Sequence, residues 1–198
     1  MNSIPYEIGP DGGIELVLKE PNSLNVIPEK SWYKGTNRRN PRCDDWGNKA
    51  LGGRYRIFDN FETTTRAKYD GDDNHLQATP DVVRMKVSSR HLILAAKLFC
   101  IMLTCPYAES FSTSSQSGVR QISTTSWDAK ALAIVLDIIH GRLNLIPKDV
   151  GLSLLTRIAT IVDYYEFHES MRLIKDKWLK ETREILFQQI HLITARIH

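Results

Sequence analysis

The stretch that decides the fold is MKVSSRHLILAAKLFCIMLTCPYAES, residues 85–110. It contains an apolar run, residues 92–103, that only Lys97 interrupts, with two serines before it and a proline after it. A membrane-spanning helix needs roughly 20 consecutive apolar residues, and this run is shorter and carries a charge. The run therefore predicts two short helices, residues 90–95 and 97–104, buried in a globular core.

The composition is that of an ordinary globular domain. Of the 198 residues, 42% are hydrophobic and 25% are charged, which is enough for one domain with a proper core. The net charge of +3 does not by itself indicate nucleic-acid binding. Three cysteines without a C-x-x-C pair indicate free thiols, and the amino terminus lacks the pattern of a signal peptide. We therefore expect an intracellular protein, cytoplasmic or nuclear, with no membrane segment.

Three short segments have the alternation of half-buried strands. They are IELVLK from Ile14, DVVRMKV with Val83, Met85 and Val87 on one side, and VRQIST from Val119. The residues between the first two, 22–79, are rich in Asn, Asp, Gly and Arg and have no sustained period, so we interpret them as a long polar insertion. Within it, RYRIFDNFE is predicted to be a short extra strand or a segment docked on the domain.

The carboxyl-terminal half has helical periodicity. SWDAKALAIVLDIIHG is predicted to be a helix capped by Ser126, with Asp128 in the first turn, and His140 is interpreted as a helix-end cation or cap. Further helices are predicted for residues 150–162, from about residue 167, and at the end of the chain. Grouped strands followed by helices indicate an α+β fold: a small, mostly three-stranded sheet on five or more helices.

This organisation gives three regions and a predicted core. Residues 1–13 are predicted to be an amino-terminal tail, residues 14–180 the domain with its insertion, and residues 181–198 a carboxyl-terminal helix. The predicted core residues are Leu92, Leu94, Phe99, Met102, Leu103, Leu132, Val135, Ile139, Leu155 and Ile158.

The order of these motifs resembles the BTB/POZ domain, in the form of a fungal-type single-domain member. A strand, a Ser-Ser-basic turn, two short helices and a loop with a hydrophobic-x-Glu pattern follow one another, and then a helix with the ending "IIHGRLNLIP". The residues of the first block are Val87, Ser88, Ser89, Arg90, Leu92, Leu94, Ala95, Phe99, Met102, Leu103, Tyr107, Glu109 and Ser110.

The resemblance implies a non-catalytic protein–protein interaction module without a cofactor. Some members of this family bind a cullin scaffold of a ubiquitin ligase through the loop after the second short helix. Carried over to this chain, Tyr107, Glu109 and Ser110 are the partner-binding residues, with Tyr107 filling an apolar pocket. Dimeric members carry an extra amino-terminal strand and helix, and the tail here, broken by Pro5 and Pro10, is too short for that helix. The sequence thus argues against the domain-swapped homodimer.

Two other function classes stay open at this point. EKSWYKGTNRRNPR, with Arg38, Arg39 and Arg42 beside aromatic residues, has the composition of a single-stranded nucleic-acid contact, although one short patch is more often a solvated linker. An enzyme would need convergent polar groups, for which DYYEFH, residues 163–168, is the nearest candidate. The sequence predicts no metal site, because the calcium-like stretch DGDDNHLQATPD has His75 where the loop needs glycine.

Overall fold

The computed structural model describes residues 3–24, 26, 53–59, 82–104 and 119–194, and side chains of the last segment up to residue 180 and at Arg183. Its four strands form one mixed sheet in the order β1-β3-β2-β4. Strand β2 is antiparallel to β3 and parallel to β4, and β1 is parallel to β3. The strands are β1 Ser3–Glu7, β2 Ile14–Lys19, β3 Val82–Val87 and β4 Arg120–Thr125.

The alternation in the sequence fixes which side of the sheet faces the core. In β3, Val83, Met85 and Val87 are all buried, as predicted. Met85 pairs with Leu16 of β2, which in turn pairs with Ile122 of β4, so one apolar row crosses the three strands.

The fourth strand lies in the predicted tail. Residues Ser3–Glu7 pair with Val82–Val87 at an edge of the sheet, and Tyr6 and the following Ile8 are buried. Pro5 had argued only against a full helix there. A proline is compatible with an edge strand, because the side of the strand that faces away from the sheet needs no backbone donor.

Five α-helices and two 3-10 helices pack with the sheet within the described ranges. The last of them, His168–Thr194, continues without a break through residue 181, where a separate carboxyl-terminal helix was predicted to begin. The α-helices are α1 Ser89–Ala95, α2 Lys97–Thr104, α3 Ala129–Ile139, α4 Leu152–Tyr165 and α5 His168–Thr194, and the 3-10 helices are Gly53–Phe58 and Leu143–Leu145. None of the described helices is both long and apolar enough to cross a bilayer.

Helix α3 is the centre of the fold. All of its residues are buried, and it contacts α1, α4, α5, β3 and the first 3-10 helix. Its amino-terminal cap is Asp128, whose carboxylate accepts a hydrogen bond from Ala131 N at 2.7 Å. The prediction that Ser126 is the cap was wrong: Ser126 has a left-handed backbone, φ 71°, and ends the turn from β4.

The two short helices are confirmed, and most of the predicted core is buried. Leu92, Phe99, Leu103, Leu132, Val135, Ile139 and Ile158 are buried, and Met102 and Leu155 are partly buried against the same cluster.

Leu94 contradicts the core prediction, because its side chain is 88% exposed. Successive helical residues are about 100° apart, so a residue two positions after buried Leu92 lies on the opposite face of α1. The prediction followed the sequence motif rather than the helical period.

Candidate functional site

A fully buried carboxylate, Asp137, lies in the last turn of helix α3. Its side chain has no solvent exposure. The hydroxyls of Tyr6 and Tyr55 donate to its Oδ2 at 2.9 and 2.8 Å, and Arg54 Nη1 lies 3.2 Å from its Oδ1. One residue of α3 thereby joins strand β1 to the first 3-10 helix.

Both tyrosine hydroxyls stay protonated in this environment. Burial raises the pKa of Tyr6 and of Tyr55 well above the ordinary range, and the negative charge of Asp137 raises both further. Since the phenols cannot ionise beside the carboxylate, they act as permanent donors to it. The cluster is therefore a fixed hydrogen-bonded connection rather than an acid–base pair that exchanges protons near neutral pH.

The partners of Asp137 in the insertion belong to residues 53–59, which we call the anchor segment. It starts at Gly53, whose φ of 73° suits glycine, and continues as the 3-10 helix that buries Tyr55 and Phe58. Its last residue, Asp59, lies 2.9 Å from Lys130 Nζ of α3. This part of the insertion was predicted to be an extra strand or a docked segment, and the structure shows a docked 3-10 helix.

His140 ends α3 and connects it to the start of α1. Its Nδ1 lies 2.7 Å from Leu136 O, and its Nε2 accepts a hydrogen bond from Ser88 N at 3.0 Å. This geometry requires a neutral ring with the proton on Nδ1. Burial lowers the pKa of His140 below its ordinary value of 6.5 and outweighs the hydrogen bond to Leu136 O, which raises it. The cap interpretation is confirmed, and the cation interpretation was wrong.

We expect His140 to make the stability of the domain fall in acid. Its folded-state pKa is below the unfolded value of 6.5, so the unfolded chain binds more protons between the two values. The contribution is complete above pH 6.5 and is lost as the pH falls through the folded pKa, with a slope of at most about 1.4 kcal/mol per pH unit. Denaturant melts of the wild type and of His140→Gln, from pH 8 to pH 5, measure this slope. His140→Gln should flatten the wild-type slope, and an unchanged slope in this variant would contradict the assignment.

The predicted interaction residues lie outside the described part of the chain. This holds for Tyr107, Glu109 and Ser110 and for Arg38, Arg39 and Arg42. The structure does describe where the segment with Tyr107 begins, at the end of α2. There the Arg120 guanidinium donates to the carbonyls of Leu103 and Met102 at 2.9 and 3.3 Å. Arg120 thus satisfies carbonyls that a helix end leaves without partners.

The helix pair α1–α2 presents apolar side chains to solvent. Leu94 is 88% exposed and Ile101 is 49% exposed, while Ile93, Leu98 and Met102 are partly buried against the core. Exposed apolar side chains indicate a contact surface where they form a contiguous patch.

A groove of about 500 Å³ lies between α4 and α5. Its lining is mostly apolar, with Asp163, His168 and Lys175 as the ionisable residues. Glu166 is not among the lining residues, and His168 Nε2 lies 3.8 Å from Asp163 Oδ1 with both side chains largely exposed. The three residues predicted as the nearest enzyme candidate therefore do not converge in this groove.

Sequence reasoning missed the Asp137 cluster. The available signal was an aspartate in the last turn of a very apolar helix, since a buried carboxylate needs a partner. The partners themselves are 131 and 82 positions away, and no local pattern connects them. Among the described residues there is no group of three or more His, Cys, Asp or Glu side chains that could hold a metal ion.

Comparison with known proteins adds no relative. No family profile, curated protein or solved structure matches this chain significantly.

Proposed function

We propose that this protein is a non-catalytic protein–protein interaction module of the BTB/POZ type. The observation that carries the proposal is the solvent-facing apolar surface of α1–α2, with Leu94 and Ile101, directly before the segment that contains Tyr107. A single exposed leucine is common on protein surfaces, so the proposal rests on Leu94 and Ile101 together, in the short helix pair that leads into the Tyr107 segment.

The order of the elements supports the same proposal. An antiparallel pair (β2 and β3), two short helices, a strand parallel to β2 and then three helices follow one another, and this agrees with the motif order on which the resemblance rests. Helix α3, buried along its whole length, leaves loops and the outer helices to meet other proteins. The proposal places the protein inside the cell, in the cytoplasm or the nucleus.

The more specific version is an adaptor for a cullin-type ubiquitin ligase. In this version Tyr107 inserts into an apolar pocket of the cullin amino-terminal region and Glu109 offers a carboxylate at the rim. A buried aromatic anchor typically contributes 2 kcal/mol or more to such a contact, whereas a rim charge contributes less.

We expect the purified protein to bind a cullin amino-terminal region, and the double variant Tyr107→Ala, Glu109→Ala to bind about 30-fold more weakly. Isothermal titration calorimetry measures both. The matched control is Leu173→Ala, which removes an exposed leucine of α5 and should leave the affinity unchanged. Absence of binding at concentrations on the order of tens of micromolar contradicts the cullin version. The broader module would then be tested by affinity purification of the intact chain beside Leu94→Asp, Ile101→Asp.

A further inference from the structure

The anchor segment contacts the rest of the protein in the way that a bound peptide contacts its receptor. It is a single 3-10 helix of six residues, too short to be stable in isolation. Its described contacts are with residues far away in sequence, on strand β1 and helix α3. Its position is thus explained by the surface that receives it.

Four side chains of the anchor segment make these contacts. The Arg54 guanidinium lies over the Tyr6 ring at 4.3 Å, donates to Glu7 O and pairs with Asp137. Tyr55 and Phe58 are almost completely buried, and the Phe58 ring lies 5.1 Å from that of Tyr6. Buried aromatic rings supply most of the energy of such a contact, and the charges at the two ends of the segment fix its direction.

The receiving surface, which we call the socket, consists of Tyr6, Glu7, Lys130 and Asp137. Lys130 and Asp137 are seven positions apart in α3 and therefore lie on one face of the helix. Tyr6 donates to Asp137 without any participation of the anchor segment. Strand β1 is fixed by pairing with β3, so the socket is built on elements that do not include the insertion.

The charges of the socket and the anchor segment are complementary in one orientation. The negative Asp137 faces Arg54 and the positive Lys130 faces Asp59. A segment that entered in the reverse direction would place like charges together in a poorly solvated environment, which costs free energy. The socket therefore selects both the sequence and the direction of its occupant.

We propose that the socket is a peptide-binding site that the chain fills with its own residues 53–59. The occupant is exchangeable: a separate segment with arginine, tyrosine, phenylalanine and aspartate in the order R-Y-x-x-F-D takes the same place when the chain's own segment leaves. The partner chemistry is thus a short aromatic segment with a basic first residue and an acidic last residue.

The test uses the full chain with one site-specific protease sequence inserted within residues 36–45 and another within residues 65–75. Both sites are cut after folding, and circular dichroism verifies that the cut protein stays folded. A fluorescent peptide of residues 51–61 is then added in excess. We expect the cut fragment to be displaced and the labelled peptide to bind, as measured by fluorescence anisotropy and size-exclusion chromatography.

Peptide variants separate recognition from non-specific association. Tyr55→Phe removes the hydroxyl that donates to the buried carboxylate and should weaken binding on the order of 10-fold or more. Arg54→Glu should abolish binding, because it places a carboxylate beside Asp137. The matched control is Arg56→Ala, since Arg56 is exposed and should be replaceable without loss.

Three results would overturn the proposal. The cut fragment does not exchange even after long incubation; the fragment leaves and the labelled peptide does not enter; or Arg54→Glu binds as well as Arg56→Ala. In each case the anchor segment is an integral part of the core and not a ligand.

Discussion

Phe99→Asp is expected to unfold the domain. The Phe99 side chain is 2% exposed, and its ring stacks on Tyr165 at 5.2 Å and on Phe167 at 5.7 Å. Loss of a buried phenylalanine ring costs about 3–5 kcal/mol. A carboxylate without a partner in its place adds several kcal/mol more, and the sum is comparable with the whole stability of a domain of this kind, about 5–15 kcal/mol.

Leu94→Asp is the matched control for this experiment, because it places the same carboxylate in the same apolar run. Leu94 is 88% exposed, so its replacement should change the free energy of unfolding by no more than about 0.5 kcal/mol. Circular dichroism and thermal melts of the two variants measure the difference. A cooperative melt of Phe99→Asp near that of the wild type, or unfolding by Leu94→Asp, would show that the helix faces are assigned incorrectly.

Asp137→Ala is expected to lower the free energy of unfolding by about 3–5 kcal/mol. The substitution leaves the buried hydroxyls of Tyr6 and Tyr55 without their acceptor, at about 1–3 kcal/mol each, and removes the counter-ion of Arg54. Chemical denaturation of the purified variant measures the loss.

The same substitution in the background Tyr6→Phe, Tyr55→Phe should cost less, because no hydroxyl then remains to be left without a partner. Asp163→Ala is the surface control, since that carboxylate is 85% exposed and should contribute no more than about 0.5 kcal/mol. If Asp137→Ala behaved like Asp163→Ala, the cluster would have no part in holding β1 and the anchor segment in place.

The sequence predicted the parts of the fold that local periodicity determines. The alternation of Val83, Met85 and Val87 located β3. The apolar run of residues 92–103 predicted the two short helices, which the structure separates at Ala96. It failed where two local signals compete. Ser126 and Asp128 are both good capping residues, and the left-handed backbone at Ser126 leaves the role to Asp128.

The buried polar cluster could not be predicted, because its members come from three separate regions. Because Pro5 lies in the segment that carries Tyr6, no strand was predicted there. The polar composition of the insertion gave no indication that Tyr55 and Phe58 are buried. Each of these residues looks ordinary in its local context. Only the assembled fold shows that they are partners of α3, and therefore that the insertion cannot be removed as one dispensable unit.

The long separation between Tyr6 and Asp137, 131 positions, has a consequence for synthesis in the cell. Ribosomes add about 5–20 residues per second, so the amino-terminal strand emerges roughly ten seconds before its carboxylate partner on α3. For the first part of that interval β1 also lacks its pairing strand β3, which begins at Val82. Folds with such distant contacts form slowly, and until β3 is made the nascent chain carries β1 as an unpaired strand.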